Sequence, residues 1–187
     1  LPAPTGAEPV WTDNTTGART SASQRVRSFV HETAPGTIGT YAFGAVKPGT
    51  YLYQSGTHPQ VQVQMGLYGA LTRNALEAAI PNPAQAYPDV PYSDQVTLLY
   101  SEIDPALHAA VATGTYGTAA GPTSTINYAP KYFLINGQPF PGGTPVIAPA
   151  GNPGTTLLRL LNAGLTTHVP MIQGAHWTLV AEDGKPH

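Results

Sequence analysis

The segment Pro48-Gly-Thr-Tyr-Leu-Tyr-Gln-Ser-Gly-Thr-His58, followed by Met65-Gly-Leu-Tyr-Gly-Ala-Leu71, constrains the fold more than any other part of the chain. Tyr51, Tyr53 and Ser55 alternate with Leu52 and Gln54. A period of two is what a strand imposes on its two faces. Gly56 breaks that strand and leaves His58 on the turn, and residues 65–72 read as a second strand running back beside the first.

The rest of the chain repeats the pattern of short extended runs between breakers. The 20 glycines and 20 prolines show no three-residue period, so they punctuate turns and do not build a collagen helix. A hydrophobic share of 41% is enough for a core, and 187 residues suffice for one large domain or two small ones.

Further strands are predicted over 25–31, 39–46, 95–101, 155–161 and 177–181, the last three as core strands. Asp104-Pro105 opens a short helix, with Asp as N-cap and Pro at the first helical position. Gly114 is expected to end that helix, and His108 to face solvent on it. Asn136-Gly137 suits a type I′ turn between residues 132–135 and 138–140. Residues 73–91 hold Asn74, Pro81, Pro83, Pro88 and Pro91 and read as a crossing linker.

Several function classes are disfavoured. The net charge is −2 and no basic block occurs, which argues against a nucleic-acid surface. No run of about 18 apolar residues suggests a membrane-spanning helix. No Gly-x-Ser-x-Gly elbow accompanies the serines. The carboxylate pair Glu102/Asp104 is explained by helix capping. The chain has no cysteine, so it forms no disulfide and cannot supply the thiolate of a blue copper site.

With those residues in view, the chain resembles the multicopper oxidases, in particular secreted bacterial members. The resemblance rests on Gly49-Thr-Tyr-Leu-Tyr53 and Gly66-Leu-Tyr-Gly-Ala-Leu71. It extends through Tyr132-Phe-Leu-Ile-Asn-Gly137, Thr155-Thr-Leu-Leu-Arg-Leu-Leu-Asn-Ala163 and Trp177-Thr-Leu-Val-Ala-Glu-Asp-Gly184. It implies an all-β fold of two Greek-key β-sandwiches of cupredoxin type, the first incomplete. Residues 1–74 would form the first domain, 75–91 a linker, and 92–187 a second domain truncated at its C-terminus.

The resemblance also implies copper, one-electron oxidation of a substrate coupled to oxygen reduction, and a secreted, periplasmic or cell-surface location. Partners would be further cupredoxin domains of the same protein or a homo-oligomer, with no nucleic acid and no membrane span. Leu1-Pro-Ala-Pro has no signal-peptide character, and Glu182-Asp-Gly-Lys-Pro-His187 stops where the family's domain would continue, so a fragment of something longer is expected.

The departures bear on the site. The family's first domain carries paired histidines; here Gln54 stands where one would be, and no His-Trp-His-Gly precedes it. His58 remains as a candidate metal ligand, against the reading of a loop histidine in a domain that has lost its metal. His31 is a second candidate if the strands converge, against a polar strand-end residue. His168 and His176 are expected to be structural. One imidazole does not hold copper tightly alone, so the alternative function is a copper-free extracellular structural or assembly module.

Overall fold

A computed structural model describes residues 10–11, 26–28, 36–40, 46–56, 58–79, 82–139 and 154–187. The described residues are rich in strands and carry two short helices. The strands, in order, are β1 (Val10–Trp11), β2 (Val26–Ser28), β3 (Gly49–Gln54), β4 (Tyr68–Arg73), β5 (Ala84–Tyr87), β6 (Val90–Tyr92), β7 (Asp94–Ile103), β8 (Tyr132–Ile135), β9 (Gln138–Pro139), β10 (Thr156–Asn162), β11 (Ala181–Glu182) and β12 (Lys185–Pro186). The helices are α1 (Pro59–Gln62) and α2 (Pro105–Ala112).

Four of these strands form one sheet in the order β10-β7-β8-β9. β7 and β10 run parallel, from Thr156 opposite Asp94 to Asn162 opposite Tyr100. A parallel pair needs a long crossover, and the chain supplies it through α2, β8 and β9. β3 and β4 form an antiparallel ribbon in continuous register, Gly49 opposite Arg73 through Gln54 opposite Tyr68. The Tyr53 ring lies over Gly69, its partner in that register, where any Cβ would collide.

The core lies between the β5/β6 hairpin and β10. Ala84, Ala86, Tyr87, Tyr92 and Leu157 are buried together, with Val90, Val180 and Ala181 packed against them. Burying each large apolar side chain contributes about 1.5–3 kcal/mol. The stretch expected to cross as a linker therefore holds most of a hairpin, and three of the five central core residues, Ala84, Ala86 and Tyr87, lie on it.

Two local expectations correspond closely to the structure. Asp104 caps α2, accepting from the backbone N–H of Ala106 at 2.8 Å. Asn136 and Gly137 have φ of 51° and 78°, the left-handed pair of a type I′ turn. Asn136 also extends the β7/β8 ladder with its side chain: Oδ1 accepts from Leu99 N at 2.8 Å and Nδ2 donates to Thr97 O at 2.8 Å. Asn136→Ala is expected to cost about 2 kcal/mol, combining left-handed strain with two lost hydrogen bonds. Asn136→Gly should recover only the strain. Urea midpoints for the two variants measure both parts; equal midpoints for alanine and wild type would refute the assignment.

Other expectations need correction. Residues 177–180 form no strand; Trp177 and Leu179 are 53% and 62% exposed, and only Ala181 and Glu182 pair, with β12. The return strand of the ribbon starts at Tyr68, because residues 59–66 coil into α1 and the turns that follow it. Residues 39, 40 and 46 are not in a strand, and 41–45 fall outside the described residues. The strand predicted over 25–31 is described only at Val26–Ser28, where it pairs with β1.

Candidate metal centre

His58 sits at the tip of the β3/β4 ribbon. Its backbone is left-handed, φ 46° and ψ 54°, and it occupies the N-cap of α1. Pro59 follows at the first helical position, where its missing N–H leaves no gap in the hydrogen bonding. The turn is built by the main chain of His58, whose carbonyl accepts from Val61 N and Gln62 N, both at 3.0 Å. The side chain makes no capping bond and is exposed. Backbone bonds from Ser55 N to Leu67 O (2.9 Å) and from Leu67 N to Gln62 O (3.1 Å) close the base of the loop, and the Ser55 hydroxyl donates to Gln62 Oε1.

The exposed imidazole is therefore carried on a loop that main-chain bonds close. His31, the second candidate ligand, lies outside the described residues. Among the described residues, no group of three or more His, Cys, Asp or Glu side chains converges in a way that could hold a metal ion. His58 fits one position of a copper shell; the described residues do not close that shell, and the cysteine-free sequence offers no thiolate to it.

The remaining histidines have other surroundings. His108 is half-buried, not solvent-facing: its Nε2 lies 3.0 Å from the carbonyl oxygen of Gln64. A carbonyl only accepts, so this nitrogen carries the proton. His168 stacks on Tyr100, centroids 5.0 Å apart, and meets the edge of Phe133. That is a structural placement, although its buried Nε2 lacks a hydrogen-bond partner among the described residues. His176 is exposed, and His187 lies 3.8 Å from Glu182 at the surface.

Two buried polar groups escaped the sequence reading. Arg159, 4% exposed, donates to Gln95 Oε1 (3.1 Å), Thr50 Oγ1 (2.7 Å) and Asn74 Oδ1 (2.7 Å). It joins the β3/β4 ribbon to the main sheet. One charged residue inside Thr156-Leu-Leu-Arg-Leu-Leu-Asn162 was the available signal. Glu102, 3% exposed, does not cap α2. Its Oε1 accepts from Leu165 N (2.6 Å) and Thr166 N (3.1 Å), while Oε2 is buried without a hydrogen-bond partner among the described residues.

Near Glu102, the Tyr128 hydroxyl donates to Gln64 Oε1 at 2.8 Å. Burial, then the negative charges of Glu102 and Asp104, push the Tyr128 phenol well above its usual range, so it stays a donor. Set against known proteins, the chain matches no family model, no curated protein and no solved structure.

Proposed function

We propose that the chain is part of a secreted multicopper-oxidase-like protein, in which copper-dependent one-electron oxidation of a substrate is coupled to oxygen reduction. The domains would be Greek-key β-sandwiches of cupredoxin type. The observation that supports this reading is the presentation of His58: its carbonyl builds the turn while its ring points outward with no capping bond, at the tip of the tyrosine-rich ribbon on which the family resemblance rests. Copper, when bound, supplies the one-electron step. The contribution of this chain is a single imidazole nitrogen on a braced loop, and the remaining ligands would come from a further cupredoxin domain or a second copy.

Titration of the purified chain with Cu(II), followed by electron paramagnetic resonance, tests this. Wild type is expected to bind copper weakly with nitrogen coordination, and His58→Ala to weaken binding at least about tenfold, the loss of one ligand bond. No intense thiolate-to-copper absorption should develop, since the sequence lacks cysteine. Equal binding by wild type and His58→Ala would overturn the assignment.

A second reading, a copper-free extracellular structural or assembly module, is favoured by one observation. Val169, Met171, Trp177 and Leu179 expose apolar side chains within a single stretch, and exposed apolar surface of this kind is what a partner covers. Copper absent from the protein after exposure to stoichiometric Cu(II) would favour this reading.

A further inference from the structure

We propose that Tyr128 is a positioning residue for His58, acting through Gln64. The inference rests on the reading of His58 as a ligand, but the contact that carries it does not involve a metal. Gln64 follows α1 in the turn that begins at His58, and it is 6% exposed. It is gripped twice from elsewhere in the fold. Tyr128 Oη donates to its side-chain oxygen at 2.8 Å, and His108 Nε2 donates to its backbone oxygen at 3.0 Å.

Both donors are themselves fixed. His108 is on α2, whose N-terminus is capped by Asp104. Tyr128 precedes Ala129, whose N–H donates to Asp104 Oδ2 at 2.9 Å. One buried carboxylate thus sets the place of both groups that hold Gln64. The constraint then runs back through the turn: Met65 N donates to Val61 O (2.9 Å), Gly66 N to Val63 O (2.9 Å), and Val61 N to His58 O (3.0 Å). An outward imidazole is useful as a ligand only if its direction is defined, and bracing from surrounding groups is what defines a ligand's direction.

The hydroxyl, and not the ring, is the part that matters. Glu102 Oε2 lies in the same buried neighbourhood and lacks a hydrogen-bond partner among the described residues. Burial first, then the negative charges of Glu102 and Asp104, push the phenol's pKa up, so it remains the donor that Gln64 needs. A residue that only filled space would tolerate loss of the hydroxyl.

Tyr128→Phe in the metal-free chain, followed by amide hydrogen exchange, is the test. Exchange of Val61, Gln62, Met65, Gly66 and Leu67 should quicken about fivefold to tenfold, the effect of one buried hydrogen bond on a local opening. Amides of β7 and β10 should stay within about twofold. Gln64→Leu, which removes the acceptor, should reproduce the pattern. Unchanged loop amides in both variants overturn the proposal, and so does a uniform rise that includes β7 and β10. Cu(II) broadening of the His58 ring signals is then read separately. Its absence in wild type would sink the copper reading and leave the exchange result to decide the positioning role.

Discussion

Replacing Arg159 with alanine is expected to lower the unfolding free energy by about 3 kcal/mol, the combined cost of a cavity and of neutral acceptors left without their donor. Three oxygens on three separate segments accept from this guanidinium: Thr50 on β3, Asn74 just after β4, and Gln95 on β7. The Tyr92 ring lies beneath it, 5.9 Å from the guanidinium carbon to the ring centroid. The alanine variant leaves those oxygens unsatisfied and opens a cavity beside the core.

For a chain of this size the loss corresponds to roughly 6–12 °C in Tm. Arg159→Lys should recover only part of it, since a compact ammonium cannot span three divergent oxygens as the planar fork does. Arg159→Met separates packing from bonding: it keeps the stem and removes the charge, so it should fall between alanine and wild type. Urea unfolding of the three variants reports the order. Should alanine shift the midpoint by less than the equivalent of about 1 kcal/mol, Arg159 would be an ornament and not the clamp between ribbon and sheet.

The second large effect concerns Asp104. Its carboxylate is 6% exposed and both oxygens are used: Oδ1 accepts from Ala106 N (2.8 Å) and Leu107 N (3.4 Å), Oδ2 from Ala129 N (2.9 Å). Asp104→Ala is expected to cost about 2 kcal/mol, since it removes a helix cap and leaves a further buried N–H unpaired.

A pH dependence accompanies it. Burial acts to raise the carboxyl's pKa, but the backbone donors of Ala129, Ala106 and Leu107, with the charge of Lys131, outweigh burial and hold it below the ordinary aspartate range. The native state therefore binds this proton less readily than the unfolded chain does. The stabilisation is complete above the unfolded value of about 3.9 and is lost as pH falls through the lower folded value. The stability gap between wild type and Asp104→Ala should be widest above about pH 5 and should shrink steadily below about pH 4. Urea midpoints between these limits measure it; a gap that does not change with pH would show that the carboxylate's charge is not what the helix uses.

The elements legible in the sequence share a physical property: their determinants lie within a few residues of one another. Alternation over Tyr51–Gln54 announced β3, Asp104-Pro105 announced α2, and Asn136-Gly137 announced its turn. The misread segments depend on distant partners. Residues 177–180 carry strand-forming types but form no strand, although Val180 O accepts from His187 N at 3.1 Å. His108 looked solvent-facing on a helix considered alone, and Gln64, 44 positions away, makes it a donor to the His58 loop. The breaker-rich stretch over residues 73–91 read as a linker, yet Ala84, Ala86 and Tyr87 on it are buried in one cluster with Tyr92 and Leu157.

The candidate site divides in the same way. His58 was visible because a glycine break after an alternating strand delivers the next polar side chain to a tip. Which groups brace that tip could not be read in advance, since Tyr128 and Gln64 are 64 residues apart and neither belongs to a motif.

By itself, then, the sequence determined the local vocabulary: a strand-rich chain, a capped helix, a left-handed Asn-Gly turn, a histidine at a ribbon tip, and no thiolate for a metal. Tertiary structure alone decided that Arg159 clamps ribbon to sheet and that Glu102, Asp104 and Tyr128 gather behind the His58 loop. Short-range order follows from backbone sterics and capping, which neighbouring residues set. A buried polar group is tolerated only where distant segments bring its partners, and their arrival depends on the whole chain.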